Sequence, residues 1–420
     1  MKRAMVFLMV ASAAAGCARE DPAPSAAPSM PPAPVADAMR GGGLGPGGLS
    51  REAALGPFLS RHWNVPIPPQ GSAPDGWAPL EKSLDPASCG ACHPQQYADW
   101  QTTLHAGAFS PGFAGQLIEG GLASPANVRH CQTCHTPLAE QQPVTATGAP
   151  SPHFDRNLRA QGMVCATCHV RGNRRLGPPR RSGLPALAAD LPHGGFEVRP
   201  EFEDSRFCGQ CHQFFGQRGP GGRPVQNTLV EWQQSPFAER GETCQRCHMP
   251  DRAHLWRGIH DPDTVRDATR VTLVLDPSPE GRVSARLALR SVRVGHMLPT
   301  YVTPRIFLEV FQVDASGAAI PSTTETSVIG RQVDFATNVD VFDTRVAPGG
   351  TATLAYRHAR AAGAAALLGR VTVDPDFHYR GVFASYLPGL TDPEARRLIA
   401  AALERASDSV YVLAESRVAL

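Results

Sequence analysis

The chain has 420 residues, of which 40 are basic and 38 acidic, and its formal net charge is +2 at pH 7. This near balance gives no indication of a nucleic-acid partner, because such partners favour a strongly basic chain or surface patch. A chain of this length accommodates two domains, so we looked for a change of pattern along it.

The N-terminus has the organisation of a secretory signal peptide. Lys2 and Arg3 form a basic start, a short apolar run follows, and small residues precede Cys17. The apolar run is too short to remain as a helix that spans a membrane. Residues 1–16 are therefore predicted to be a signal peptide, which implies export to the periplasmic side of a bacterial envelope.

Cys17 is the one cysteine outside the repeated motif described below, and the small residues before it resemble a bacterial lipobox. This match predicts a lipid anchor at Cys17, although Ala14 stands where a lipobox usually has Leu. The alternative is an ordinary cleaved signal with an incidental cysteine. In lipoproteins of this kind, an Asp directly after the lipidated Cys favours retention in the inner membrane. Position 18 is Ala, so an outer-membrane lipoprotein is expected. Residues 17–55 are rich in Ala, Pro and Gly and are predicted to form a flexible tether.

A Cys-x-x-Cys-His sequence occurs five times between residues 89 and 248 and uses ten of the eleven cysteines. This spacing is typical of covalent haem c attachment, in which two thiols bind one haem and the adjacent imidazole is the proximal ligand of its iron. We number the copies motif 1 to motif 5. Their cysteines are Cys89 and Cys92, Cys131 and Cys134, Cys165 and Cys168, Cys208 and Cys211, and Cys244 and Cys247. Their proximal histidines are His93, His135, His169, His212 and His248.

Two other uses of paired cysteines explain this pattern less well. Zinc ribbons contain Cys-x-x-Cys pairs, but they do not require a histidine directly after every second cysteine. A disulfide framework requires no histidine at all. The motifs therefore predict five covalent haems within residues 56–262. That region is rich in Pro and Gly, so short helices and loops are expected to surround a core formed mostly by the haems.

Ten histidines remain for the opposite side of the five irons, where a second histidine closes the coordination and favours electron transfer. His105 lies on a short predicted helix after motif 1, and His193 lies in a glycine-containing loop. His254 and His260 follow motif 5, and His296 lies between two predicted strands. These five histidines are the predicted distal ligands.

A weak internal repeat links two predicted short helices, at residues 97–106 and 229–238. Both copies have an acidic residue followed by Trp at matching positions. The first copy then offers His105, whereas the second offers Phe237 at the corresponding place.

Residues 89–100, Cys-Gly-Ala-Cys-His-Pro-Gln-Gln-Tyr-Ala-Asp-Trp, are followed by His105, and residues 243–250 are Thr-Cys-Gln-Arg-Cys-His-Met-Pro. These segments resemble the multihaem c-type cytochromes of the cytochrome c-554 group, and the resemblance covers residues 85–262. It implies closely packed haems, mainly with two histidine ligands, that pass electrons between periplasmic partners. The group's pattern would place a histidine at position 237, so Phe237 puts one distal ligand in doubt.

From about residue 263 the pattern changes to short strands separated by turns. The strand-like runs are 271–275, 283–289, 306–311, 351–356, 371–373 and 410–418. They predict a mostly-β, antiparallel, sandwich-like domain over residues 263–420. Asp392 and Pro393 predict the start of an amphipathic helix over residues 393–406. The expected fold class is therefore multidomain, with a loop-rich, short-helical multihaem cytochrome c domain first and the β-domain second.

The sequence is compatible with two functions. The first is a pentahaem electron-transfer protein whose partners are redox proteins of the cell envelope and, through Cys17, the membrane. The alternative is a multihaem oxidoreductase with one open iron that reduces or oxidises a small nitrogen or sulfur compound. Related nitrite reductases often contain Cys-x-x-Cys-Lys, which is absent here, and Lys occurs only at positions 2 and 82. No catalytic residue is predicted, and the oligomeric state stays open.

Overall fold

The computed structural model describes residues 51–119, 125–182, 191–215 and 219–420, which belong to one compact unit. All fifteen histidines fall within these ranges. The predicted signal peptide, Cys17 and most of the predicted tether lie outside the described residues. None of the helices in these ranges combines the length and apolar character that a membrane crossing requires.

The region that carries the five motifs consists of short helices joined by turns and loops, which confirms the prediction. The helices before residue 170 are α1 Arg51–His62, α2 Pro79–Lys82, α3 Pro86–Gly90, α4 Pro94–Gln101, α5 Pro111–Ile118, α6 Pro125–His135, α7 Arg156–Ala160 and α8 Cys165–His169. Those after it are α9 Gly209–His212, α10 Thr228–Gln233, α11 Pro236–Glu239, α12 Cys244–His248 and α13 Pro262–Ala268. Between them, β1 Val170–Arg171, β2 Arg174–Gly177 and β3 Glu197–Val198 form a small sheet.

Most of the motifs form a helical turn that ends on their own histidine, as in α6, α8, α9 and α12. A helical turn places residues three and four positions apart on one face. Both cysteines and the histidine of a motif therefore point to the same side. In α12 this turn is capped by Thr243, whose hydroxyl accepts a hydrogen bond from the backbone N–H of Arg246.

The C-terminal region is an antiparallel sandwich, as predicted. Its strands are β4 Thr269–Asp276, β5 Arg282–Ser291, β6 Arg305–Asp314, β7 Glu325–Ile329, β8 Arg331–Asp334, β9 Val339–Asp343, β10 Thr351–Ala359, β11 Ala364–Asp374 and β12 Tyr411–Ala419. One sheet has the order β10-β5-β4, and the other has the order β12-β11-β6-β7. Strands β8 and β9 form a separate hairpin.

The two sheets share one apolar core. Every second residue of β5, from Val283 to Leu289, is buried, and these side chains pack with buried residues of β6 and β11 such as Leu308 and Leu367. This alternation is the period of a strand with one face toward the core. The approach of the sheets is close at Gly369, where a Cβ atom would lie 3.1 Å from Leu287.

Two helices complete the sandwich domain, α14 Phe377–Tyr386 and α15 Pro393–Asp408. The helix predicted at 393–406 is therefore confirmed and is two residues longer. It begins after Asp392, whose carboxylate accepts hydrogen bonds from the backbone N–H groups of Glu394 and Ala395. Ile399 on its buried face packs against Gly115 of α5, so this helix adjoins the haem-binding region.

The region that carries the motifs and the sandwich are joined by polar contacts, of which those of Arg331 are buried or partly buried. Glu119, directly after α5, accepts hydrogen bonds from the backbone N–H groups of Thr391 and Asp392. The guanidinium of Arg331, only 1% exposed, donates to the carbonyl oxygens of Pro220 and Pro224. These contacts hold the sandwich against the helices that carry the motifs.

Candidate haem-binding centre

The motifs adjoin one another through their cysteine side chains. The thiol of Cys89 in motif 1 forms a hydrogen bond with Cys165 in motif 3, which lowers the pKa of Cys89 to about 7 and raises that of Cys165. The thiol of Cys244 in motif 5 forms a hydrogen bond with Cys208 in motif 4, with the same effect on the pKa of Cys244. Motifs 1 and 3 are therefore neighbours, and so are motifs 4 and 5.

Motif 4 also lies next to two further motifs. The thiol of Cys211 forms a hydrogen bond with Cys134 of motif 2, and this bond together with burial raises the pKa of Cys211. Cys168 of motif 3 lies within electrostatic range of both Cys208 and Cys211. Motif 4 thus adjoins motifs 2, 3 and 5, whereas motif 1 reaches it by way of motif 3.

Three proximal histidines face a second histidine from a distant part of the chain. The ring centroids are 6.2 Å apart for His105 and His212, 6.1 Å for His169 and His254, and 6.3 Å for His248 and His296. Two imidazoles that bind one iron from opposite sides, each nitrogen about 2 Å from the metal, have centroids about 6 Å apart. The three pairs therefore have the spacing of axial ligands on a shared iron.

The hydrogen bonds of these rings leave Nε2 for a metal. The bonds join Nδ1 to a carbonyl oxygen, from His169 to Leu176 (2.8 Å), His248 to Arg257 (2.6 Å), His254 to Arg252 (3.0 Å) and His296 to Met297 (2.8 Å). Metal-binding histidines usually donate their second ring N–H in this way, which fixes the tautomer. Burial lowers the pKa of His105 to about 3 and that of His169 and His212 to about 4, so the rings are neutral, as a ligand must be.

Known proteins share both the motif sequence and the fold. Residues 88–170, which contain motifs 1 to 3, match the family model described as cytochrome c554 and c-prime. The crystal structure of a penta-heme cytochrome c552 from Thermochromatium tepidum is similar over 82% of this chain and 100% of that chain, with a TM-score of 0.58 and 17% identity. The chain therefore has the fold of a penta-heme cytochrome, and its motifs 1 to 3 match a cytochrome c family model.

The structural likeness to the penta-heme cytochrome extends beyond residues 56–262 of this chain, which carry the five motifs. Residues 56–262 are about half of the chain, so a match over 82% must include much of the sandwich. A second solved structure, the structural-genomics target SoR45, matches 26% of this chain and 75% of that chain with a TM-score of 0.14 and 10% identity, so it indicates no shared fold. A comparison with curated proteins finds no match.

His193 lies beside Glu81 of α2, the helix that precedes motif 1. Its backbone N–H donates to the carboxylate of Glu81 (2.6 Å), and its Nδ1 bonds to a nearby carbonyl oxygen (2.8 Å). Arg175 donates to the carbonyl oxygen of Glu81, and its charge contributes to the lowered pKa of Cys89. Within the described part of the chain no ring contact joins His193 to His93, so the structure brings this histidine near motif 1 without the facing arrangement of the other three pairs.

His260 has a different partner from the one that the sequence predicts. Its Nε2 lies 3.0 Å from the Oδ2 atom of Asp376, just before α14. No proximal histidine faces its ring in the described ranges. The structure thus shows this side chain paired with a carboxylate, and its role as a distal ligand stays a prediction.

Motif 2 lacks a facing histidine. Nδ1 of His135 bonds to the carbonyl oxygen of Ala108 (2.6 Å), so this ring is oriented like the other proximal histidines. The ring in contact with it is Phe113 of α5, stacked at 4.4 Å with 24° between the planes. Among the ring contacts described for His135, the one with Phe113 takes the place that a facing histidine has in the three pairs.

Position 237, where the family pattern would offer a histidine, lies next to the loop that carries His296. A Cβ atom on Gly295 would lie 3.3 Å from Phe237 and 3.4 Å from Trp232, which shows how closely the loop packs here. The loop from the sandwich domain thus occupies the neighbourhood of the missing histidine and brings its own histidine opposite His248.

Sequence reasoning missed the acidic residues that hold the segments of His254 and His296 in place. The carboxylate of Asp99 accepts a hydrogen bond from the backbone N–H of His254 (3.0 Å). The carboxylate of Glu231 accepts bonds from the backbone N–H of Met297 (3.2 Å) and the hydroxyl of Thr300 (2.7 Å). Asp99 and Glu231 occupy matching positions in the two copies of the weak repeat, so the repeat was the signal that could have found them.

Proposed function

We propose that this multihaem cytochrome transfers electrons through five covalently attached haems, and that histidine pairs close the irons of motifs 3, 4 and 5. The bound haems supply iron that cycles between the ferric and ferrous states, while the protein supplies ligands, spacing and environment. The observation that carries the proposal is the set of three facing histidine pairs with centroid distances of 6.1 to 6.3 Å.

The proposed electron route has its junction at motif 4. Motifs 1 and 3 form one arm, and motifs 2 and 5 each adjoin motif 4 through their thiols. A haem held by motif 4 would therefore lie between the haems held by motifs 1, 2 and 5 and would connect them. Trp256 supports this arrangement, because its ring packs against both His105 (4.7 Å) and His254 (5.1 Å), the distal histidines of motifs 4 and 3.

His193 is the proposed distal ligand of motif 1. Its position beside Glu81 and its bonded Nδ1 atom support this assignment, since the three facing histidines are already paired with motifs 3, 4 and 5. The iron of motif 2 then has His135 alone. This observation favours a second candidate function, an oxidoreductase in which the haem of motif 2 takes a small substrate while the other four deliver electrons.

The proposed location is the periplasmic side of a bacterial envelope, with Cys17 as a lipid anchor and redox proteins of the envelope as partners. The sequence of residues 1–17 and the export that covalent haem attachment requires in bacteria support it. Metabolic labelling with a radioactive fatty acid tests the anchor: we expect label on the native chain and none on Cys17→Ser, and labelling of both would refute it.

Haem counting and spin-state measurement on the purified holoprotein test the proposed function. The pyridine haemochrome assay should give five haems c per chain. Electron paramagnetic resonance of the oxidised protein should show four low-spin haems and one high-spin haem, because one of the five irons has a single histidine. A count of four or fewer would contradict the pentahaem proposal, and two or more high-spin haems would contradict the proposed ligand pairs.

A further inference from the structure

Arg159, on helix α7, is a half-buried cation without an anionic partner in the described part of the chain. Its Nε atom is buried and has no hydrogen-bond acceptor. Burial, followed by the charge of Arg156, lowers the pKa of Arg159. A buried donor that stays unsatisfied is costly, so we expect a group that the protein chain does not supply to accept from it.

Arg159 differs in this respect from the comparable arginines. Burial lowers the pKa of four other described arginines, and each of them has an acceptor. Arg331 pairs with a carboxylate, whereas Arg171, Arg175 and Arg305 donate hydrogen bonds to backbone carbonyl oxygens. The lack of an acceptor at Arg159 is therefore a feature of this site and not of half-buried arginines in this chain.

Aromatic rings connect Arg159 to the proximal histidine of motif 2. Its guanidinium carbon lies 4.5 Å from the centroid of the Phe109 ring. Phe109 meets Phe113 edge-on at 5.6 Å, and Phe113 stacks on His135 at 4.4 Å. Ala108, next to Phe109, supplies the carbonyl oxygen that bonds to Nδ1 of His135. The guanidinium therefore packs on the segment that holds the proximal ligand of motif 2.

The backbone around Arg159 is fixed against this segment. Asp155 caps helix α7 and accepts a hydrogen bond from the backbone N–H of Leu158. The buried amide of Gln141 donates to the carbonyl oxygens of Leu158 (3.0 Å) and Gly162 (2.7 Å). A Cβ atom on Gly162 would lie 2.8 Å from the backbone nitrogen of Ala108, so the turn after the helix touches the segment directly. The cation is thus held in place before any partner binds.

We propose that Arg159 binds a propionate of the haem held by motif 2. Each haem c carries two propionates, and the planar guanidinium fork matches the two oxygens of a carboxylate. The inference rests on the proposed haem at motif 2 and adds a residue that holds it. The pair also gives Arg159 an effect on electron transfer. A cation beside the propionate offsets a negative charge near the iron, and this raises the reduction potential of that haem.

The test uses the full-length holoprotein and three variants. A crystal structure of the haem-loaded native protein should place the Arg159 guanidinium within hydrogen-bonding distance of a propionate oxygen of the motif 2 haem. In a spectroelectrochemical titration, Arg159→Leu should shift the reduction equilibrium of that haem about tenfold toward the ferric state, which corresponds to about 59 mV for one electron. Arg159→Lys keeps the charge and should shift it less. Arg156→Leu removes an exposed charge from the same helix and is the matched control, with a shift within about twofold.

The outcomes separate this inference from the proposed function. A guanidinium that contacts no propionate, or one of another haem, would overturn the assignment and leave the five haems and their ligand pairs standing. Equal shifts in Arg159→Leu and Arg156→Leu would also overturn it, because a bound pair is stronger than a screened surface charge. The expected contact in a protein with five low-spin haems would support the inference and refute the open iron at motif 2. A holoprotein without haem at motif 2 would refute both proposals.

Discussion

Glu231→Ala should convert the haem of motif 5 from low-spin to largely high-spin. Glu231 holds the loop that positions His296, through bonds to Met297 and Thr300, and it pairs with Arg345 at 2.9 Å. The two charged side chains are only 8% and 3% exposed. Removal of one partner of a buried pair costs about 3 to 5 kcal/mol, so we expect a lower midpoint of thermal unfolding together with loss of the His296 ligand in most molecules.

Glu231→Gln should have a much smaller effect on both the spin state of the motif 5 haem and the midpoint of thermal unfolding. Burial is the main cause that raises the pKa of Glu231, so the site favours the charged carboxylate less than water does. The amide oxygen of Gln can still accept the hydrogen bonds from Met297 and Thr300. Arg345 also keeps its bonds to the carboxylate of Asp343. The exposed Glu239→Ala on the next helix is the control. Electron paramagnetic resonance measures the spin state, and an unchanged low-spin signal of motif 5 in Glu231→Ala would contradict the positioning role.

The attachment motifs could be predicted from sequence because their geometry is local. A single helical turn places both cysteines and the histidine of a motif on one side, and the structure contains that turn at motifs 2 to 5. The pairing of histidines depends instead on tertiary packing. His105 follows motif 1 in sequence but faces His212 of motif 4, and His254 follows motif 5 but faces His169 of motif 3. Closeness in sequence was therefore a poor guide to which motif a histidine faces.

His260 illustrates the same limit. Its position after motif 5 made it resemble His254, yet the fold brings Asp376 to its Nε2 atom. Nothing in the local sequence indicates that partner, which lies more than a hundred residues away.

The sandwich was predicted where strands alternate cleanly between buried and exposed residues, as β5 does. Strands β7 to β9 were missed because they are short and mostly half-exposed, so they lack a clear apolar period. Helix α14 was missed because it is rich in aromatic residues and contains Gly381, which disfavours helices. The helix at α15 was found because Asp392 and Pro393 mark its start and its apolar stripe is regular.

His105→Ala should interrupt the proposed electron route at its junction. His105 is the ring that faces His212 of motif 4, and motif 4 adjoins motifs 2, 3 and 5. Its loss leaves that iron with one protein ligand, so we expect one additional high-spin haem per chain and a changed reduction potential for that haem alone. Added imidazole should restore the low-spin state, because it supplies the ligand that the variant lacks.

The exposed histidine His153 provides a matched control for the loss of a ring without the loss of a ligand. His153→Ala should keep the native spin count and titration curve. Rapid reduction of His105→Ala should show slower equilibration between the arm of motifs 1 and 3 and the haems of motifs 2 and 5, because every path between them crosses motif 4. Native equilibration together with a new high-spin haem would mean that the arms have another connection, and an unchanged spin count would mean that His105 does not close the iron of motif 4.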